Sequence, residues 1–148
     1  MRLALLLSLG LVVAACGSSR ATRPKGPAPS AGAQGPPPAW IETKAGTRWL
    51  AYSSYCWSLK QGNAQAHGCA DMAAPKCSQK SVPKLEVDSG EQVRAHLGYD
   101  AQAVSVEHEA TKLDGRTVAW RIHRSGPFLL FTKGRPGDAS YTGCAVLP

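Results

Sequence analysis

Sulfur and imidazole side chains carry the most distinctive chemistry in this sequence of 148 residues. One segment of eleven residues holds a histidine, a methionine and two cysteines, namely His67, Cys69, Met72 and Cys77. Such soft ligands suit copper(I) or zinc, so a metal-handling protein is one alternative. The seven residues between the two cysteines, however, differ from the close Cys-x2-Cys pair of common zinc sites. We therefore expect neither a metal nor another cofactor.

The sequence motifs of familiar enzyme active sites are missing. The chain has no Gly-x-Ser-x-Gly elbow, no phosphate-binding Gly-rich loop and no His-Glu-x-x-His pair. Glu107 and Glu109 are predicted on one face of a strand, where paired carboxylates can do acid–base work. His108 lies between them, and His96 and His123 are predicted at outward positions of strands. All of these residues are explained equally well as solvent-facing residues of strands, so we predict no catalytic residue. A small envelope enzyme of unknown type is kept as an alternative.

Aromatic residues are concentrated near the start of the folded region. Five of them fall within eighteen residues: Trp40, Trp49, Tyr52, Tyr55 and Trp57. Exposed rings of this kind stack on sugars, whereas buried rings fill the core of a sandwich, which is the default expectation. Trp40, Trp49, Tyr55 and Trp57 are therefore candidates for binding only if they are exposed.

The N-terminal segment has the features of an export signal. Arg2 is positive, and the largely apolar run from Leu3 to Ala15 is shorter than the about 20 residues that cross a bilayer as a helix. The run ends in Val13-Ala14-Ala15-Cys16, which resembles the lipobox of bacterial lipoproteins. This resemblance implies cleavage before Cys16 and a diacylglyceryl group on its thiol. Because two acyl chains anchor a protein stably, we expect an extracytoplasmic protein that is bound to the membrane through this lipid.

A tether is predicted for residues 16–38 and a folded domain for residues 39–148. The tether is rich in Pro, Gly, Ala and Ser, a composition that favours extended polyproline geometry over a packed core. It is expected to act as a spacer between the bilayer and the domain, with its three cations near anionic headgroups. The domain has a net charge of only +3, and its cations are scattered. No nucleic-acid partner is expected, since that function needs clustered positive charge.

Alternating apolar and polar residues predict an all-β fold for the domain. Residues 48–57, 84–87, 91–97, 104–106, 118–123, 128–131 and 139–146 fit short strands, and Asp114-Gly115 predicts a two-residue hairpin turn. In the third of these strands, Val93, Ala95 and Leu97 are expected to point inward. About seven strands with frequent turns are typical of an antiparallel sandwich. Residues 60–83 fit no strand and are predicted to form a long loop, with one short helical turn at most.

Four cysteines remain once Cys16 is set aside: Cys56, Cys69, Cys77 and Cys144. An even number in a small exported domain predicts a disulfide framework. Four cysteines allow three pairings, and the residues by themselves do not choose among them.

A weaker resemblance covers several short motifs of the domain. Tyr55-Cys56-Trp57, Cys69-Ala70-Asp71, Gly90-Glu91-Gln92-Val93 and Gly137-Asp138-Ala139-Ser140-Tyr141 are similar to small uncharacterised lipoprotein domains of Gram-positive bacteria. The resemblance implies an immunoglobulin-like β-sandwich and favours the pairs Cys56–Cys69 and Cys77–Cys144, but it implies no activity. We accordingly predict a non-catalytic binding or structural domain of the cell envelope, whose partner is an envelope protein or a glycan and whose loop 60–83 faces that partner.

Overall fold

The computed structural model of the chain describes residues 21–73 and 75–148. The predicted leader and the predicted lipidation site at Cys16 lie outside these residues. None of the described residues belongs to a helix long and apolar enough to span a membrane.

Twelve strands build two sheets in the part of the chain that the structure describes. In chain order they are β1 (Trp40–Thr43), β2 (Gly46–Trp49), β3 (Ala51–Gln61), β4 (Ala64–Ala70), β5 (Lys84–Glu86), β6 (Glu91–His96), β7 (Ala101–Val106), β8 (Glu109–Ala110), β9 (Leu113–Asp114), β10 (Thr117–Ile122), β11 (Gly126–Gly134) and β12 (Gly137–Val146). The five-stranded sheet has the order β2-β1-β6-β10-β9, and the seven-stranded sheet has the order β4-β3-β12-β11-β7-β8, with β5 paired to β12. The predicted all-β, sandwich-like fold with antiparallel sheets is confirmed.

Alternation along the strands places one set of side chains between the sheets. Val93 and Ala95 on β6 are fully buried and Leu97 nearly so, as predicted. Phe128 and Leu130 on β11 are buried as well, while Phe131 is exposed, so the apolar run 128–131 is a half-buried strand. Each large aliphatic or aromatic side chain buried in this way contributes roughly 1.5–3 kcal/mol.

Strand β12 is the centre of the larger sheet. It pairs with β11 along most of its length, its first part pairs antiparallel with β3, and its last part pairs parallel with β5. The buried hydroxyl groups of Thr132 and Thr142 donate to the carbonyls of Ala139 and Phe128, at 2.8 and 2.7 Å. These bonds satisfy polar groups that would otherwise destabilise the core.

The prediction of a long loop over residues 60–83 was wrong for its first half. Strand β3 continues to Gln61 and turns at Gly62, which has a φ of 60°, into β4. The signal was weak because β4 is an edge strand with no buried position, and its half-buried positions hold only Ala and Gly. The described residues between β4 and β5 form no helix, but two turns are closed there by bonds from the N–H of Gln79 to Lys76 and from the N–H of Val82 to Gln79.

The predicted strand over residues 48–57 is divided at Leu50. Strand β2 ends at Trp49 in the five-stranded sheet, whereas β3 starts at Ala51 in the seven-stranded sheet. The buried Leu50 at this crossing donates its backbone N–H to the carbonyl of Ala39 at 2.9 Å. This split, the unpredicted strands β1 and β4, and the two-residue strands β8 and β9 account for the five strands beyond the predicted seven.

Two predictions on turns need correction. The β9–β10 hairpin is centred on Gly115 and Arg116, one residue later than predicted, and only Gly115 has a positive φ. Glu107 and His108 form the turn between β7 and β8, with φ angles of 51° and 72°. Glu107 therefore does not share a strand face with Glu109. Its carboxylate instead accepts bonds from Arg124 and from the backbone N–H of Leu129.

Candidate functional site

The four cysteines of the domain form two disulfides, with the pairing that the resemblance favours. Cys56 and Cys69 are direct cross-strand partners in the β3–β4 hairpin, and both are exposed. Cys77 joins the irregular segment after β4 to the buried Cys144 on β12, across 67 positions of sequence. The second bridge holds this segment against the central strand of the larger sheet.

The disulfides remove the basis of the metal alternative. Cys69 and Cys77 belong to different bridges and supply no thiolate, which is the form that binds metals. Within residues 21–73 and 75–148, no cluster of three or more His, Cys, Asp or Glu side chains has a geometry able to hold a metal ion.

His67, the imidazole of the metal alternative, contacts a serine side chain. It lies directly opposite Ser58 in the β3–β4 hairpin, and its Nδ1 is 2.6 Å from the Ser58 Oγ. A nucleophile of the Ser–His type also needs a third group that orients the imidazole. Among the described residues no acidic side chain forms a hydrogen bond with His67, so this contact is a cross-strand pair on an exposed hairpin.

His96 lies in a small cluster on the outer face of the five-stranded sheet. Its ring stacks on Trp40 with centroids 3.7 Å apart, and its Nε2 is 3.4 Å from a Glu42 oxygen. Burial lowers the pKa of His96, and the hydrogen bond and charge of Glu42 partly oppose that shift. His96 therefore points outward as predicted, but it is half-buried and not solvated.

The four aromatic binding candidates do not form one exposed platform. Trp57 is buried and packs edge-on against Tyr99, and Trp40 is half-buried against His96. One face of Trp49 is covered by the Arg23 guanidinium, 4.6 Å from the ring centroid. Flat stacking of a sugar ring needs an uncovered face, which the buried Trp57 does not offer. Trp49 and Tyr55, the fourth candidate, are half-buried.

Tyrosines on β3 and β12 form a second aromatic cluster. Tyr55 pairs with Ala139 and Tyr52 pairs with Tyr141, so three steps along β3 match two steps along β12. This register shift is a β-bulge, and it brings Tyr52 and Tyr55 to the same side of the strand. Tyr52 lies 6.2 Å from Tyr55 and 5.5 Å from Tyr141, measured between ring centroids. We call Tyr52, Tyr55 and Tyr141 the tyrosine cluster.

The proline-rich segment lies against the tyrosine cluster. Residues 21–38, which we call the proline strap, contain no strand, in keeping with their composition. They are nevertheless packed on the domain, with Pro24 and Pro36 buried, and this docking was not expected of a spacer. The strap bends at Gly32, where φ is 83°, and at Gly35, where a Cβ atom would lie only 2.3 Å from that of Ala31.

Each tyrosine hydroxyl of the cluster donates to a different carbonyl of the proline strap. Tyr52 bonds to Pro36 at 2.8 Å, Tyr55 to Ala31 at 2.9 Å, and Tyr141 to Pro37 at 2.7 Å. The Trp49 Nε1 adds a longer bond of 3.4 Å to the carbonyl of Gly26. Extended proline-rich chain has no internal backbone hydrogen bonds, so side-chain donors of this kind satisfy carbonyls that would otherwise be solvated.

Burial changes the acidity of the cluster. It raises the pKa of Tyr52 to about 12, and it raises the pKa of Tyr141 further. Both hydroxyls are therefore protonated, and able to donate, throughout the neutral range.

An open groove of about 830 Å³ runs beside the docked strap. Three stretches of chain line it: residues 27–31 of the strap, residues 49–53 with Tyr55, and parts of the segment from residue 70 to residue 83 that the Cys77–Cys144 bridge holds. Most of the lining is apolar or aromatic. Its described titratable side chains are Tyr52, Tyr55 and Lys80, and it includes no histidine and no carboxylate. An arrangement of this kind can bind an apolar or extended ligand but holds no acid–base pair.

Sequence patterns pointed to two parts of this site, namely the aromatic residues near β3 and the second half of the predicted loop. They did not point to Tyr141 or to the docking of the strap. The only available signal was the coincidence of a proline-rich segment with a tyrosine-rich strand, a combination found in proteins that bind polyproline chains. The comparisons with known proteins add no further guide: no family model, no curated protein and no solved structure matches this chain.

Proposed function

We propose that this protein is a non-catalytic, membrane-anchored binding protein of the cell envelope, and that the groove beside the proline strap is its binding site. The observation that carries the proposal is the groove itself, which is open, largely apolar and floored by aromatic side chains. Pockets that bind ligands commonly combine apolar walls with a few placed polar groups.

The location of the protein has separate support. Its two disulfides indicate an oxidising, extracytoplasmic environment. The finer statement, a lipid anchor on Cys16, depends on the lipobox-like Val13-Ala14-Ala15-Cys16 alone. A protein anchored in this way presents its groove to other envelope components at a short distance from the bilayer.

The anchor is tested by comparing the wild type with Cys16→Ser in cells fed a radiolabelled or alkyne-tagged fatty acid. We expect label and membrane fractionation for the wild type, and loss of both for Cys16→Ser. A wild-type protein that is unlabelled and soluble without detergent contradicts the anchor, whatever the groove binds.

The groove is tested by photo-crosslinking in cells. A photoreactive amino acid at Ala73, which lines the groove, is compared with one at Ala110 on β8, at the opposite edge of the larger sheet. We expect a discrete adduct from position 73 only, and its loss when Ser81→Trp fills the groove. Equal adducts from both positions, or none from position 73, contradict the proposal.

A further inference from the structure

We infer that the tyrosine cluster, at one side of the groove, recognises extended proline-rich peptide, and that the protein's own strap is the first occupant of this tyrosine face. The inference rests on the proposed binding function and names its ligand class. Its physical basis is the way in which the strap is held.

The contacts to the strap recognise backbone more than side chains. Three phenol hydroxyls and one indole N–H point at four strap carbonyls, those of Pro36, Ala31, Pro37 and Gly26. Within the described strap, only one backbone hydrogen bond is internal, from Gly35 to Gly32. Aromatic donors that meet free carbonyls, together with proline rings against aromatic faces, are the usual means of binding polyproline helices.

The strap divides into two parts that are held differently. Residues 36–38 adjoin β1 and close against the fold, where a Cβ atom on Gly98 would lie 2.6 Å from the Cβ of Pro37. Residues 21–31 precede the bend at Gly32 and Gly35, and residues 27–31 among them form one side of the open groove. The first part of the strap therefore has space beside it and a hinge after it, so it can leave while residues 36–38 stay in place.

A segment that is attached to its own site has a local concentration in the millimolar range. A free peptide of similar sequence consequently competes poorly with the docked strap, and binds well only when the strap is weakened. This competition gives a direct test of whether the site recognises a class of peptide or merely contains a fixed part of the fold.

The test uses the full-length protein in detergent and a fluorescent peptide with the sequence of residues 21–34. In the strap variant, Pro24→Ser, Pro27→Ser and Pro29→Ser remove the preformed extended geometry of the first part, and Pro36 to Pro38 are retained. We expect saturable binding by fluorescence anisotropy, at least tenfold tighter for the strap variant than for the wild type. Intact disulfides and an unchanged near-ultraviolet circular dichroism spectrum establish that the variant is folded.

Two hydroxyl deletions in the strap variant are matched controls for each other. Tyr55→Phe removes the donor to Ala31, which the peptide contains, and is expected to weaken binding about fivefold. Tyr99→Phe removes a hydroxyl that bonds to Thr132 in the core, outside the groove and the tyrosine cluster, and is expected to leave binding unchanged. No binding to a folded strap variant, or equal effects of the two substitutions, overturns the inference.

A second measurement covers the case in which the strap variant does not fold. An unlabelled peptide of residues 27–38 contains no Lys or Arg, so it is itself resistant to trypsin. At millimolar concentration it is expected to accelerate tryptic cleavage of the wild type after Lys25 at least threefold, because displacement frees the strap. A peptide with its prolines replaced by serine is the control, and equal cleavage rates with both peptides overturn the inference. A photo-adduct at Ala73 together with no peptide binding in either assay would leave the proposed function standing and reject only this ligand class.

Discussion

Two aromatic faces of this domain are built from the same short stretch of sequence but end in different states. Trp40, on the five-stranded sheet, is stacked on His96 beside Glu42. Tyr52 and Tyr55, on the seven-stranded sheet, are covered by the proline strap. The first face is closed by its own side chains, whereas the second is closed by a segment that arrives from outside the sheets.

The difference follows from the polar ends of the rings. Stacking places the flat faces of Trp40 and His96 against each other, so little aromatic area is left for a ligand. The tyrosines present hydroxyl donors at the ends of their rings, and these donors require acceptors when they are buried. Aromatic content alone therefore does not identify a binding face, and the orientation of the donors is the more informative property.

The largest effect should come from the centre of the tyrosine cluster. Tyr141 is fully buried, so Tyr141→Ala is expected to lower the free energy of unfolding by about 3–5 kcal/mol through a cavity and lost contacts. Tyr141→Phe keeps the ring and loses only the bond to Pro37, with an expected cost of about 1 kcal/mol. Denaturant unfolding with the disulfides intact measures both values. A cost for Tyr141→Ala no greater than that of Tyr141→Phe would show that the ring is not part of the core.

Alkaline pH should weaken the strapped face specifically. Burial raises the pKa of Tyr52 to about 12, above the ordinary value near 10 of the unfolded chain. The protonated tyrosine is favoured by folding, so its contribution is complete below about pH 10 and is lost as the pH rises towards 12. We expect phenolate absorbance and release of the strap to appear together in this range. Tyr52→Phe should remove part of the dependence of strap release on pH. An identical profile of strap release against pH in that variant would contradict the assignment of this effect to Tyr52.

The stacked face should respond to truncation by a smaller amount than the tyrosine cluster. Trp40→Ala is expected to cost about 1–2 kcal/mol, since the ring is half-buried and the stacked pair is worth roughly 0.5–1.5 kcal/mol beyond burial. A double-mutant cycle with His96→Ala isolates the stacking energy. Peptide binding to the strap variant should not change in Trp40→Ala, and a change there would show that the two faces are coupled.

The smallest expected effect is acid sensitivity at His96. Burial lowers the pKa of this imidazole below 6.5, and Glu42 opposes the shift only in part. The neutral form is favoured by folding, so the stabilisation is present above about pH 6.5 and is lost as the pH falls through the lower folded value. His96→Gln should flatten the dependence of unfolding free energy on pH in this window. A steeper dependence in the variant would mean that Glu42 outweighs burial.

Several properties of the fold could be predicted from residue patterns because they depend on short-range periodicity. Alternation over residues 91–97 predicted the buried Val93, Ala95 and Leu97. Strand β4 was missed, since it is an edge strand whose half-buried positions hold Ala and Gly instead of large apolar residues. The turn at Glu107 and His108 also escaped prediction, because non-glycine residues rarely adopt a positive φ.

The candidate site was less predictable than the fold. Simple alternation assigns Tyr52 and Tyr55 to opposite faces of β3, and only the bulge opposite Ser140 reverses this assignment. The two disulfides could be anticipated in number from the cysteine count, but their pairing needed either the resemblance or the three-dimensional structure.

Composition and periodicity were sufficient to establish an all-β domain with paired cysteines and a proline-rich segment that forms no strand, because these properties depend on residues close together in the chain. The docking of that segment could be established only from the folded molecule. Its carbonyls at Ala31 and Pro37 are bonded by tyrosines 24 and 104 positions away in sequence. Proline has no backbone N–H and cannot donate to a strand ladder, so the local sequence does not indicate where a proline-rich segment will dock. The docking position is set by hydrogen-bond donors that come together only when the two sheets assemble.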